Sequence, residues 1–472
     1  MIEILALFFI FIAALELWIG YKVISRSDPF TFISLISIRF IFDFVFRPFT
    51  FTFIEKYQPG IQGINRGLIH SSDAPLYSLM TMILNDLSFL FLLIGAFVYL
   101  KNKDIGTKEV KKIFLNENSY LFVGIFIFFI GLFNWYWVIQ SSGGLVNILM
   151  SLGTGRQNLF KISGSSIPFE IAKTFLSAGI FLMSSYFFTK KRLVLAWVSI
   201  IALFILLLAF GGRGLAFAAI ISGLIAQNYF YNRINLKVLF VLFLIAIPAL
   251  TFLSDIRRLL DGEAEIESLE VSSVFEISSA KQAIIEFSYV SSAFDYDMGF
   301  HYSVHENNKD YFLGQYPLGI TMLLPRSIFP NKGNTLANKF SEKLFCDGKA
   351  GCKLDVGISP SIVSGSTAYW GYISIPLISF IIGYVGMFFW RYTVHQIATP
   401  ISIMVYALGY PYPITLFQDL GAFLLAATPI LLVFLVSYIF LLYSLELSER
   451  YTSELFIVDK FNLGSLAPKR FI

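Results

Sequence analysis

Stretches of about twenty apolar residues with few charges recur along this sequence, and a hydrocarbon core ~30 Å thick is the solvent that suits them. In such a solvent every backbone polar group must be satisfied within the protein, which leaves only helices or a closed barrel. Runs of this length point to helices. The chain has 472 residues, is 56% hydrophobic and 14% charged, and its mean hydropathy is +0.71. A soluble domain carries about a quarter charged residues. The sequence therefore reads as one all-α, multi-span membrane domain over residues 1–472, and a net charge of +4 is too small to imply nucleic acid.

Spans are expected near Ile4–Tyr21, Phe30–Phe53, Tyr77–Leu100, Tyr120–Ile139, Pro168–Phe188, Leu193–Phe210, Leu215–Tyr231, Leu236–Leu253, Ile373–Trp390, Ile401–Phe417 and Ala422–Leu445. The first lacks a basic leader and carries Glu3 and Glu16, so it reads as a retained span rather than a cleaved signal peptide. Lysines crowd the loop from Lys101 to Lys112, Lys190–Arg192 fill another, and Arg233, Arg391 and the tail from Arg450 mark others. With about eleven spans these loops share one side, which the positive-inside rule makes cytoplasmic, giving N-out and C-in. The long segment 254–372 then lies outside. It holds Cys346 and Cys352, in CDGKAGC, whose spacing and oxidising side predict a small disulfide loop.

That outer segment has helical spacing over Val271–Ser292 and over Thr335–Phe345, with Asn334 as N-cap. Between them, YPLGITMLLPRSIFPNKG is apolar but broken by Pro317, Pro325 and Pro330, and reads as an interfacial or re-entrant element. Outer cations recur at Arg156, Arg213, Arg257, Arg258, Arg326 and Lys332. Arg213 sits in FGGRG between two spans, where glycines permit backbone conformations that other residues resist. Each cation alone reads as a headgroup-bound residue. Their clustering on one face suggests an anion site at headgroup depth, and the planar fork of Arg suits phosphate.

Inside the second span, Arg39, Asp43 and Arg47 follow a spacing of four. They fall on one helix face with alternating sign and can pair in place. Intramembrane charges point to function or to a buried ion network. Asp86 and Lys173 near helix ends are weaker cases. His301 and His305, in HYSVH, have i,i+4 spacing with Asp295, Asp297 and Glu306 nearby, but a polar loop with two histidines is the stronger reading than a metal site. There is no GxxxxGK[ST], HExxH or GxSxG, so no metal or cofactor is expected, and energy must come from an activated substrate or a gradient.

Three places carry a resemblance: GGLVNILMSLGTGRQNLFKISG, AFGGRGLAF, and LPRSIFPNKGNTLANKF followed by GISPSIVSGSTAYWGY. Together with the hydropathy profile, they resemble the Wzy-type polymerases of O-antigen repeat units, and more distantly the enterobacterial common antigen polymerase. The resemblance implies a multispan, GT-C-like glycosyltransferase of the bacterial inner membrane, with its active site facing the periplasm. It would join undecaprenyl-pyrophosphate-linked oligosaccharide repeats, donor onto acceptor, among membrane lipid and alongside a chain-length regulator. Outer-loop arginines are essential in that family, which points to Arg156, Arg213, Arg258 and, at the aromatic–proline element, Lys332, where Arg would be usual. Arg213 and Arg258 are thus expected to stabilise the pyrophosphate leaving group, with Arg156, Arg257, Arg326, Lys332, Ser359 and Asp419 binding substrate. Outer carboxylates available as base are Asp255, Asp355 and Asp419, with Asp355 first because it abuts GISPS. The last outer turn, PYPITLFQDLGAF, carries Gln418 and Asp419 in place of the basic–acidic pair of the common antigen enzyme. An O-antigen ligase, for which an outer histidine is expected, and a lipid-linked oligosaccharide flippase are the rival readings.

Overall fold

The computed structural model describes residues 2–24, 28–57, 73–101, 117–141, 143–144, 167–208, 213–234, 285, 293–306 and 361–462, and among these residues every regular element is helical. The helices are α1 (Ile2–Ile19), α2 (residues 32–54), α3 (Ala74–Lys101), α4 (Glu117–Ser141), α5 (Ile167–Thr189), α6 (Leu193–Leu208) and α7 (Arg213–Phe230). They continue with α8 (Ala293–Glu306), α9 (Ile362–Trp370), α10 (Ser374–Trp390), α11 (Pro400–Gly409), α12 (Tyr412–Gln418) and α13 (Leu420–Asn462). Six helices are long and apolar enough to cross a membrane, among them α1, α3, α4, α5 and α10. The chain is a polytopic membrane protein. Large apolar side chains face outward along these helices, for example Phe8, Phe11, Phe129, Phe133, Leu377 and Leu431, which is what a lipid-facing surface requires. The expected span Leu236–Leu253 lies outside the described residues.

Two elements depart from a simple span. α2 alternates α-helix (Phe32–Phe40, Arg47–Phe49) with π-helical turns (Ile41–Phe46, Thr50–Ile54). Such turns are rare and occur frequently at functional sites; here they carry Asp43 and flank Arg47. The stretch expected as one span over Ile401–Phe417 is two short helices, α11 and α12, separated at Tyr410–Pro411. Proline at 411 has no N–H to donate, so the helical ladder stops after the Tyr410 N–H bonds the Tyr406 carbonyl.

Consecutive helices alternate in direction. Trp135, Val138, Phe169, Leu203, Leu207 and Ala216 form one apolar cluster. The end of α4, the start of α5, the end of α6 and the start of α7 therefore share one end of the bundle. Ala6, Ile10, Phe51, Tyr77, Phe294 and Met298 form another cluster, which joins the start of α1, the end of α2 and the start of α3 to α8. By the alternation from α2 to α7, these two clusters belong to the same end. At the opposite end, the Tyr229 hydroxyl donates to Asp28 Oδ2 at 2.5 Å, Trp390 Nε1 donates to Tyr229 at 3.3 Å, and Tyr406 donates to the Phe30 carbonyl at 2.8 Å. These bonds tie α7, α10 and α11 to the entry of α2.

α3 and α10 approach closely because small residues line their contact. A Cβ on Gly95 would stand 2.0 Å from the Phe380 carbonyl oxygen, and one on Gly383 would stand 2.0 Å from that of Leu92. The Ser88 and Ser379 hydroxyls bond at 2.8 Å in the same seam. Membrane helices associate through such small-residue packing and interhelical hydrogen bonds. Gly383→Ala is expected to force α3 and α10 apart and to destabilise the protein by about 1–3 kcal/mol. Gly409→Ala, whose added methyl meets nothing nearer than the Phe389 ring at 3.4 Å, should leave melting in detergent unchanged. Equal melting temperatures for the two variants would refute the role of this seam.

Candidate functional site

A charged side chain on an isolated membrane helix costs ~2.5–3.5 kcal/mol on insertion scales, and α2 carries three. The structure shows how they are tolerated. Arg39 Nε lies 3.5 Å from Asp43 Oδ2 one turn on. Arg47 is fully buried and turns to α8, where its Nε and Nη2 donate to Asp295 Oδ2 and Oδ1 at 2.6 and 2.8 Å. Its Nη1 reaches Glu55 Oε2 at 3.0 Å, and its guanidinium sits 5.5 Å from the Phe51 ring. A planar fork with a carboxylate on each of two edges is the arrangement a buried Arg needs, since its five donors cannot be neutralised by deprotonation. The charge row of α2 therefore does more than pair along its own helix, because it docks a segment 248 residues away in sequence.

Two residues past Asp295, Asp297 enters a different environment. It is 1% exposed and lines a water-sized cavity of about 10 Å³ together with Arg39, Asp43, Asn85 and Ser361, closed by apolar side chains of α2, α9 and α12. Neither carboxyl oxygen of Asp297 has a well-formed hydrogen bond, and neither the oxygen nor the nitrogen of the Asn85 amide does. Burial pushes the Asp297 carboxyl up to about 7. The facing hydroxyls of Ser361 and Ser364 and the Arg39 charge offset this in part, and Asp43 adds to it. A carboxyl without a counter-ion in a dry site favours its neutral form.

α9 presents its N-terminus to this cavity. Ser361 caps it, accepting from the Val363 and Ser364 N–H groups at 2.9 and 3.2 Å, and Ser364 Oγ accepts from the Ser361 N–H at 3.0 Å, a reciprocal capping box. The helix stops at Gly371, whose φ of 78° suits glycine. The chain then turns into α10, with Ser374 Oγ bonded to the Gly371 carbonyl at 2.7 Å. This hairpin holds Tyr372 against α8, where its hydroxyl and His301 Nδ1 are 3.0 Å apart. His301 is fully buried, and burial lowers its pKa to about 3, so its ring is neutral. HYSVH is thus part of a packed helix rather than a polar loop. Among the described residues no three histidine, cysteine or carboxylate side chains gather as metal ligands.

Arg213 is the first residue of α7, and residues 209–212 separate it from the end of α6. The two helices pack antiparallel, with Phe204 against Phe217 at 6.2 Å and Gly223 against Ile200. The helix ends on either side of residues 209–212, and those on either side of the segment containing Arg156, meet at one end of the bundle through the Trp135–Ala216 cluster. Asp419, expected to bind substrate, is buried between α12 and α13, and its Oδ1 accepts from the Ala422 N–H at 3.0 Å. That is a helix-capping role. Asp86 is buried on α3, and Lys173 pairs with Glu170 on its own helix. Arg156, Arg257, Arg258, Arg326, Lys332, Asp355, Ser359, Cys346 and Cys352 lie outside the described residues, as do the interfacial stretch 316–333 and the helix expected over 335–345.

Sequence reasoning missed Asp295 and Glu55 as partners of Arg47, and Asp297 beside them. The available signal was AFDYDMGF, two acids in an otherwise apolar and aromatic run. Compared with protein-family models, with curated proteins and with solved structures, the chain has no match.

Proposed function

We propose that this protein is a Wzy-type repeat-unit polymerase of the bacterial inner membrane, working on its periplasmic face. The observation that supports the reading is that the helix ends flanking two cation-bearing stretches, FGGRG and the segment with Arg156, come together at one end of an apolar bundle. A lipid-linked pyrophosphate presents its charge at that depth. In the proposed reaction an acceptor-sugar hydroxyl attacks the donor's anomeric carbon. The bond from that carbon to the pyrophosphate oxygen breaks, and its electron pair leaves on undecaprenyl pyrophosphate. Arg213 and Arg258 stabilise the developing charge as preorganised cations, and Arg156, Arg257, Arg326, Lys332 and Ser359 hold the substrates. Asp355, which abuts GISPS, takes the hydroxyl proton. A chain-length regulator is the expected partner.

A flippase is the second reading. It is favoured by the two-piece span α11–α12 and by charges midway along α2, features that transporters use at their binding sites. The surface glycan ladder in a strain lacking this gene separates the readings. Single repeats on lipid A core without a ladder are the expected result. Lipid-linked single repeats trapped on the cytoplasmic face would establish the flippase instead. A core bare of repeats, with full-length polymer left on its carrier, would establish a ligase.

A further inference from the structure

The buried charges around α2 do not balance. Arg39 and Arg47 supply two positive charges, whereas Asp43, Glu55, Asp295 and Asp297 supply four negative ones when all are ionised. Arg47 is engaged by Asp295 and Glu55, and Arg39 by Asp43. Asp297 is therefore the carboxyl without a cation of its own. It is 1% exposed, both its oxygens lack well-formed hydrogen bonds, and the cavity beside it has room for about one water. An ionised carboxylate left there would cost several kcal/mol.

A second observation concerns access. Between residues 32 and 48 of α2 every side chain is buried or half-buried except that of Arg39, which is 43% exposed. Arg39 lies about 10 Å from the residue-32 end of the helix and about 20 Å from the residue-54 end, at 1.5 Å per residue. No large apolar side chain is exposed along the same stretch, so this part of α2 is sheathed by protein rather than lipid. The exposed Arg39 side chain also lines the Asp297 cavity, and so connects that cavity to the outside of the bundle.

We propose that Asp297 is a proton-binding site, reached past the exposed Arg39 side chain, whose protonation latches α8 and α9 onto α2 and α3. With the proton bound, the neutral carboxyl fits the small cavity between Asn85 of α3 and the capped start of α9. When the proton leaves to solvent, the carboxylate demands solvation. Water then enters the cavity, and the α8–α9 contact loosens. The other groups facing the site do not supply this response. Arg39 and Asp43 compensate each other, His301 stays neutral, Asp295 is held by Arg47, and Asn85, Ser361 and Ser364 do not titrate. The sign follows from linkage. A carboxyl whose folded pKa is raised to about 7 stabilises the fold below its unfolded value, and that contribution is lost as pH rises through about 7.

The test uses the full-length protein in detergent. The wild-type melting temperature should fall by several degrees between pH 5.5 and pH 8.5. In Asp297→Asn, a permanently neutral isostere, that fall should shrink by at least half. A slope as steep in Asp297→Asn as in wild type would overturn the proposal, as would a wild type without a slope. Should Asp297→Asn fail to fold, Arg39→Cys in a Cys346→Ser, Cys352→Ser background gives a separate reading. Labelling of the purified protein in detergent by a hydrophilic methanethiosulfonate should be several-fold faster at pH 8.5 than at pH 6, after correction for thiolate reactivity with an exposed control cysteine. An Arg39→Cys variant that stays unlabelled, or labels at the same corrected rate at both pH values, would overturn the proposal. Neither experiment depends on what the protein polymerises or moves.

Discussion

Arg213→Ala is expected to leave the protein at its normal level in the membrane and to abolish the surface glycan ladder. Arg213 opens α7, an 18-residue helix, and the N-terminus of a helix carries partial positive charge. A cation there is unfavourable by ~0.3–1 kcal/mol, so removing it should not weaken the fold. Helix stability does not account for Arg at this position, whereas the proposed pyrophosphate would, because a guanidinium and the first N–H groups of a helix suit the same phosphate. Under the proposed reaction, losing one preorganised donor to the leaving group costs about 10²–10³-fold in rate. Arg213→Lys should retain part of the polymer, since it keeps the charge and loses the fork. The measurement is the ladder on a silver-stained gel beside an immunoblot of the membrane fraction. A normal ladder from Arg213→Ala would remove this residue from the reaction, and a lost ladder with lost protein would show that it serves the fold.

Much of the bundle was legible because lipid imposes one dominant rule. Tyr77–Leu100 is found within Ala74–Lys101, and Pro168–Phe188 within Ile167–Thr189, since an apolar run of bilayer length has little else to become. The break inside Ile401–Phe417 was signalled by Gly409 and Pro411, but hydropathy averages over it. The charges of α2 stood out for the opposite reason, as rare residues in an apolar run. Their partners did not, because spacing along a helix reports only neighbours on that helix. Asp295 and Asp297 come from a helix that enters the bundle from the long connecting segment, and a contact between residues 47 and 295 leaves no periodic trace. The same limit applied to His301, where composition suggested a polar loop and packing against Tyr372 made a buried histidine.

Arg47→Ala is expected to be the most destabilising single substitution in the described part of the molecule. Truncation would leave Asp295 and Glu55, both nearly fully buried, without their counter-charge. Breaking a buried ion pair by removing one partner costs about 3–5 kcal/mol, a large share of the ~5–15 kcal/mol that holds a typical protein folded. Arg47→Lys should rescue little. An ammonium cannot span Asp295 Oδ1, Asp295 Oδ2 and Glu55 in one plane as the guanidinium does. Asp295→Asn should be milder than Arg47→Ala, because Arg47 keeps Glu55 and the amide keeps one acceptor. Lys173→Ala is the contrasting case. Its pair with Glu170 is partly exposed and lies along one helix, so it should change stability by no more than about 0.5 kcal/mol. Melting of the purified proteins in one detergent ranks the four variants. If Arg47→Ala melts with wild type, the ion network does not hold α8 against α2. The other contacts of α8, Phe294 on Phe51 at 6.1 Å and Tyr302 on Tyr77 at 5.4 Å, would then hold it in place.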